Sequence, residues 1–220
     1  MPRPESKTLV QRRQRLAVIL PLLKHLYPHA RCSLDHSNPL ELLVATILAA
    51  QCTDVRVNKV TKTLFPKYRT AKDYAEANTE ELEQILVPTG AYRQKAKAIQ
   101  ETCKALVAKF GGEVPRTMDE LTSLRGVARK TANVVLNNAW DIPSGIIVDT
   151  HVARVSQRMG LTRHDKPEQI ERDLMSMVPQ ERWTKFGPAM VLLGRYTCTA
   201  KAPKCSECIF KDICPKNAVE

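Results

Sequence analysis

The chain is poor in glycine and in aromatic residues. Eight glycines and 5% aromatics in 220 residues leave few of the tight turns that a barrel or sandwich of short strands needs. They also leave a core to be built mostly from Leu, Ile, Val and Ala. Long hydrophobic runs are missing too, since nothing approaches the roughly 20 consecutive apolar residues of a membrane span. The opening MPRPESKTLVQRRQRLAVILPLLKHLYP sets basic residues ahead of AVILPLL. That run is short, is broken by Pro21 and is followed by no small-residue cleavage site. It reads as a helix packed on the body of the protein, and no membrane association is expected. Cysteine is scarce but clustered: four of seven lie between residues 198 and 214. An odd, clustered set fits a reducing, cytoplasmic compartment better than a secreted disulfide framework.

Acidic residues are also in deficit, with 23 Asp and Glu against 34 Lys and Arg, a formal charge of +11. Charge alone says nothing of the fold. An excess this large suits a polyanion, either nucleic acid or an anionic membrane surface, and the basic footprint favours nucleic acid.

What is present reads as helix after helix. Asn38-Pro39-Leu40-Glu41 is a start signal, with a capping side chain, proline in the first turn and Glu three residues beyond the cap. The uniformly apolar LLVATILAA follows. Asn78-Thr79-Glu80-Glu81 repeats the box before LEQIL. From Tyr92 to Phe110, residues Ile99, Cys103, Leu106, Val107 and Phe110 recur at helical spacing, and Gly111-Gly112 ends the helix. Thr117 opens another helix, with Leu121 and Leu124 facing inward. Pro167 opens a later one, whose stripe is Ile170, Leu174, Met177 and Val178. GIIVD, 145–149, is the one β-like run. No long linker, repeat or low-complexity tract interrupts the order, so the fold class is all-α.

Between two of these helices lies LRGVARKTANVVLNNA, 124–139. Gly126-Val127-Ala128 makes a tight reversal into a helix that begins near Arg129. Such a reversal points backbone N–H groups at a helix N-terminus, where an anion is favoured. Arg125, Arg129 and Lys130 add charge there. A plain helix–helix turn with a solvated basic end is the alternative.

The C-terminal segment CTAKAPKCSECIFKDIC spaces its thiols C-x6-C-x2-C-x5-C, at Cys198, Cys205, Cys208 and Cys214. Four thiolates hold either tetrahedral zinc or a four-iron cluster, and the spacing alone leaves the two level.

LRGVARKTANVVLNNA resembles the helix-hairpin-helix of the endonuclease III family of DNA glycosylases, whose pattern is close to LPGVGRKTANVVL. ELLVATILAAQCTDVRVNKV is similar to the family's ELL…LLSAQ-TD segment, and VDTHVARVSQRMGL to its VDTH-RV-RLGL segment. GRYTC, 194–198, leads into the cysteines. In the family's order, these segments cover the chain from about Pro39 to Cys214.

The resemblance implies two helical domains flanking a DNA-binding cleft. One is a six-helix domain over 32–142; the other is formed by 1–31 with 143–220 around a [4Fe–4S] cluster held by the four cysteines. It implies a base-excision-repair glycosylase with abasic-site lyase activity, acting on oxidised, ring-saturated or fragmented pyrimidines in double-stranded DNA. The enzyme would be a monomer, associated with the nucleoid through DNA. Lys130 matches the catalytic lysine and Asp149 the catalytic aspartate, the two meeting across the cleft. The resemblance also places Gln51, Ala91, Arg125, Gly126, Ala128, Arg129, Thr131, His151, Lys201 and Lys204 against DNA. Gln51 would fill the hole left by a flipped nucleotide.

Each of these residues also has an ordinary role. Lys130 sits beside Arg129 in the first turn of a helix, where like charge and the positive helix end disfavour the ammonium; such a lysine either becomes a nucleophile or stays protonated on a phosphate. Asp149, just before THVARV, is a natural N-cap, and capping is compatible with catalysis. Gln51 in AAQCTD can bond backbone at a helix end. Lys201 and Lys204 can be plain surface charge. Cys103 reads as core, while Cys32 and Cys52 stay open.

The sequence departs from the family pattern in three places. Ala128 replaces the second hairpin glycine and would be strained if the position needed φ > 0. Arg125 replaces the hairpin proline, loosening the turn but adding charge. Ala91 stands where a leucine wedge is common and is too small to intercalate well. The loop before Asp149 is also about one residue longer than the family pattern. Three alternatives remain beside the main expectation. Two are mismatch glycosylases of the same superfamily, removing thymine or adenine; Lys130 and AAQCTD argue against the adenine branch. The third is a non-catalytic DNA-binding protein with a four-cysteine zinc site.

Overall fold

The computed structural model describes residues 7–219. All regular structure among them is helical. The chain divides into two compact units, Cys32–Ile142 and the pair of segments Met1–Arg31 with Pro143–Glu220.

The continuous unit holds α2 (Pro39–Leu48), α3 (Asp54–Lys67), α4 (Ala71–Ala75), α5 (Thr79–Leu86), α6 (Tyr92–Phe110), α7 (Met118–Thr122) and α8 (Arg129–Ala139). That is seven α-helices, of which α4 and α7 are only five residues long. A 3-10 turn at Val87–Thr89 links α5 to α6. Asn38 starts α2 as its spacing predicts, accepting from Glu41 N at 2.9 Å. Six of the ten α2 side chains are buried, which makes it the central helix; each fully buried leucine contributes about 1.5–3 kcal/mol. Asn78 and Thr117 cap α5 and α7 in the same way. Glu81 does not reach back to Asn78, however. Its carboxylate faces Lys67 and the Tyr68 hydroxyl, so the cap is one-sided.

α6 spans the range its periodicity predicts, ending on Gly111 at φ +60°. Its buried stripe runs through Ala96, Ile99, Cys103 and Leu106, while Val107 lies on the outer face, 41% exposed. Burial pushes the Cys103 thiol up to about 12, so it behaves as core.

The second unit contains α1 (Lys7–Leu26), α9 (Thr150–Arg158), α10 (Pro167–Met175) and α11 (Trp183–Tyr196). Leu16, Ile19 and Leu23 of α1 enter its core beside Val152, Val155, Ile170 and Leu193. GIIVD is not a strand. Residues 141–149 run without regular structure, yet Ile146 and Val148 are buried in the same core. The alternation was that of a half-buried extended segment, with no neighbouring strand to make it a ladder. Gly194 lets α9 and α11 approach closely, since a Cβ there would stand 2.8 Å from His151 Cβ.

Candidate nucleic-acid interface and metal centre

The hairpin is built by α7, the turn 123–128 and α8. Val127 N donates to Leu124 O at 3.2 Å, and both side chains are buried. Gly126 holds φ +77°, with its missing Cβ 3.2 Å from Ala98 Cβ on α6. A side chain there would be both strained and crowded. Thr102 Oγ1, also on α6, donates to Arg125 O at 2.5 Å, and Arg125 Nε lies 2.6 Å from Glu101 Oε2. The arginine that replaces proline therefore does not loosen the turn. Its backbone and side chain are both tied to α6.

Ala128 likewise corrects an expectation. It sits at φ −77°, ψ 165°, ordinary extended backbone, so alanine is unstrained there. It precedes α8, whose N-terminus carries no side-chain cap. An uncapped helix start is a favourable place for an anion. Arg129 and Lys130 occupy the first turn of α8 and are exposed, with Thr131 half-buried behind them.

Backbone strain lies elsewhere. Gln51, in the turn between α2 and α3, holds φ +53°, and Ala91, at the start of α6, holds φ +46°. Both are exposed. A left-handed L-residue costs roughly 1–2 kcal/mol, and such positions persist where the surroundings impose them. Ala91 follows Gly90, itself at φ +68°. Beside them Lys95, only 6% exposed, donates from Nζ to Thr89 O at 2.7 Å. Burial lowers its pKa, with the Cys52 thiol opposing. This lysine was not picked out from the sequence, although a cation one helical turn before Ile99 in an apolar stripe was a signal.

In the other unit Asp149 caps α9. Its Oδ1 accepts from His151 N at 2.9 Å and Val152 N at 2.8 Å, and the residue is half-buried. His151 Nδ1 lies 3.2 Å from Arg154 Nη2, and Arg154 also donates to Gly194 O and Cys198 O.

Cys198, Cys205, Cys208 and Cys214 line one cavity together with Val155, Met159, Leu193 and Phe210. The four thiols thus share one cavity and are the side chains that would hold a four-iron cluster. Burial raises the Cys208 and Cys214 thiols, and the neighbouring cysteines raise them further. Iron held by these cysteines would reverse that balance, because its ligands must be thiolates. Lys201 and Lys204 stand exposed on the loop between the first two cysteines.

A hairpin tied to its supporting helix, an uncapped basic helix start and a four-thiol cavity together define a helix-hairpin-helix repair fold with a metal centre. Residues 44–180 match the family model described as HhH-GPD superfamily base excision DNA repair protein. Residues 198–214, from the first cysteine to the last, match the iron-sulfur binding domain of endonuclease III. The chain is 51% identical over 209 residues to endonuclease III of Synechocystis, covering 95% of each. It is 50% identical over 190 residues to that of Bacillus subtilis, covering 86% of each. Its fold is similar to that in the solved structure of a trapped endonuclease III–DNA covalent intermediate, at a TM-score of 0.88 and 47% identity, covering 93% of this chain and 96% of that one.

The chain belongs to the endonuclease III family. It is a base-excision-repair DNA glycosylase and abasic-site lyase, it binds DNA, and it carries a [4Fe–4S] cluster.

Proposed function

We propose that this enzyme removes oxidised, ring-saturated or fragmented pyrimidines from double-stranded DNA as a monomer at the nucleoid, with Lys130 as nucleophile and Asp149 as the assisting carboxylate. The observation that carries the reading is Lys130 itself, exposed in the first turn of an uncapped helix directly after the anion-favouring turn.

The damaged nucleotide leaves the stack at a cost of a few kcal/mol, less where its pairing is already weakened. Lys130 Nζ, deprotonated, attacks C1′. The C1′–N bond breaks and its electron pair departs with the base, which takes up a proton. Opening of the sugar ring leaves a Schiff base between Nζ and C1′. Loss of a C2′ proton then expels the 3′ phosphate and cuts the strand on that side. Water finally releases Lys130. Asp149, an anion at a helix start, opposes the positive charge that develops on the sugar and accepts or returns protons.

Gln51 fills the gap left by the flipped nucleotide; the left-handed backbone at that position suits an imposed, outward side chain. Ala91 occupies the wedge position with too little volume to hold bases apart. The backbone of Gly126 and Ala128, with Arg125, Arg129 and Thr131, receives a phosphate, and His151 lies along the DNA path. Cys198, Cys205, Cys208 and Cys214 hold the cluster, which stabilises a segment with little core of its own. Lys201 and Lys204 on that segment face phosphates.

Borohydride trapping on a duplex containing an oxidised pyrimidine tests the assignment. Wild type forms a covalent adduct, and Lys130→Gln forms none while still binding the duplex. An adduct that persists in the variant moves the nucleophile elsewhere.

A further inference from the structure

Arg158 is a buried cation that no step above uses. It ends α9, is 8% exposed, and directs its guanidinium at the segment following Cys198. Nη1 donates to Thr199 O at 2.6 Å and Nη2 to Ala200 O at 3.1 Å. Nη1 also stands 3.6 Å from Cys198 Sγ. The Arg158 carbonyl accepts from Asn217 N at 3.1 Å and lies 3.4 Å from Cys214 Sγ. One residue therefore touches both outer cysteines and the start of the lysine-bearing loop. Thr199 Oγ1 continues the arrangement by donating to Lys201 O at 2.8 Å, and Lys204 N closes the loop on Thr197 O at 3.0 Å.

The partners of this guanidinium are two carbonyls and a sulfur, none of them an acid. Keeping a buried cation without an acidic partner is unfavourable. Four thiolates around a four-iron cluster carry net negative charge, which is the missing counterion. A planar fork that reaches two successive carbonyls also fixes a backbone path in a way an ammonium does not.

We propose that Arg158 is a positioning residue with two functions. Its fork sets the path of the loop that carries Lys201 and Lys204, and its charge beside Cys198 raises the reduction potential of the cluster. The inference rests on the assignment of the four cysteines to the cluster and of the two lysines to phosphate.

The test uses full-length wild type, Arg158→Lys, Arg158→Met, Arg158→Gln and the double variant Lys201→Ala/Lys204→Ala. Three quantities are measured: iron content, the one-electron potential on an electrode, and affinity for a duplex carrying an uncleavable abasic analogue. Arg158→Lys keeps the wild-type potential but binds about tenfold more weakly, the scale of one lost charge-assisted hydrogen bond. Its single-turnover rate on saturating substrate stays within about twofold of wild type, because the reacting groups are untouched. Arg158→Met shifts the potential downward and weakens binding alike; if it fails to retain iron, Arg158→Gln takes its place.

A neutral variant with the wild-type potential overturns the charge function. A lysine variant that binds as tightly as wild type overturns the fork function. Wild type without iron, or a double-lysine variant with undiminished affinity, instead overturns the underlying assignments, whatever Arg158 does.

Discussion

Asp149 has one observed function, as a cap, and one proposed, in the reaction, and substitution separates them. Its Oδ1 satisfies two backbone donors at the start of α9, at 2.9 and 2.8 Å, and under the proposal its charge serves the reaction. Asp149→Ala removes both. Losing the cap costs about 1 kcal/mol and at most about 2, and in a chain of this size each kcal/mol lowers Tm by roughly 2–4 °C. Asp149→Asn keeps an acceptor in the same place, and Asn is as good a cap as Asp. It loses only the charge–dipole part, about 0.3–1 kcal/mol. The alanine variant is therefore the less stable of the two. Turnover follows a different order: both variants lose about 100- to 1000-fold, the scale of one electrostatic stabiliser. Thermal melts by circular dichroism, beside single-turnover excision with enzyme in excess, read both quantities. If Asp149→Asn turns over like wild type, while Asp149→Ala loses activity only in step with its folded fraction, Asp149 is a cap and nothing more.

Gly126→Ala places a Cβ against Ala98 at positive φ and costs about 1–2 kcal/mol, with weaker duplex binding in a filter or anisotropy assay. Ala128→Gly relieves no strain and lowers urea stability by about 0.4–1 kcal/mol; a gain in stability would contradict the extended backbone at that residue. Burial lowers the pKa of Lys95, so unfolding takes up a proton between that lowered value and the free value near 10.4, and wild-type stability rises with pH through that window. Urea melts should therefore show Lys95→Met gaining most on wild type at neutral pH, with the difference shrinking toward pH 10; a constant difference refutes this. Lys204→Ala should reduce the slope of log affinity against log salt by about 0.9, the value of one phosphate contact on duplex DNA, with equal loss across sequences; an unchanged slope removes Lys204 from the interface.

Helix starts were legible because caps are local chemistry. Asn38, Asn78, Thr117 and Asp149 each act within three residues of themselves, so the spacing alone reveals them. The thiol pattern was legible for the same reason, although the choice between zinc and iron came from family resemblance and not from spacing. What stayed hidden was set by tertiary contact. Nothing in TGAYRQ announces that Ala91 turns left-handed while Ala128, in a motif often written with glycine, does not. The partners of Arg125 lie on α6, more than twenty residues away, so a lost proline looked like a loosened turn. Val107 fits the apolar spacing of α6 yet faces outward, because the buried stripe is centred one residue earlier. Arg158 and Lys95 were passed over because a cation at a buried register position is assumed to be on the surface until a structure shows its acceptors.

The division of the chain has a consequence for biosynthesis. Cys32–Ile142 is one unbroken stretch, whereas its companion unit joins α1 to residues beyond Pro143. Arg15 on α1 donates to the carbonyls of Met159 and Gly160, so the first helix must wait for a distant segment to be translated. The hairpin body can thus be finished while α1 is still without its partners. With Cys214 as the proposed fourth ligand, iron delivery comes later again, because that residue has to leave the ribosome first. A nascent chain would pass through a stage with a folded hairpin and an empty cysteine pocket, and assembly of the cluster is what closes the order of events.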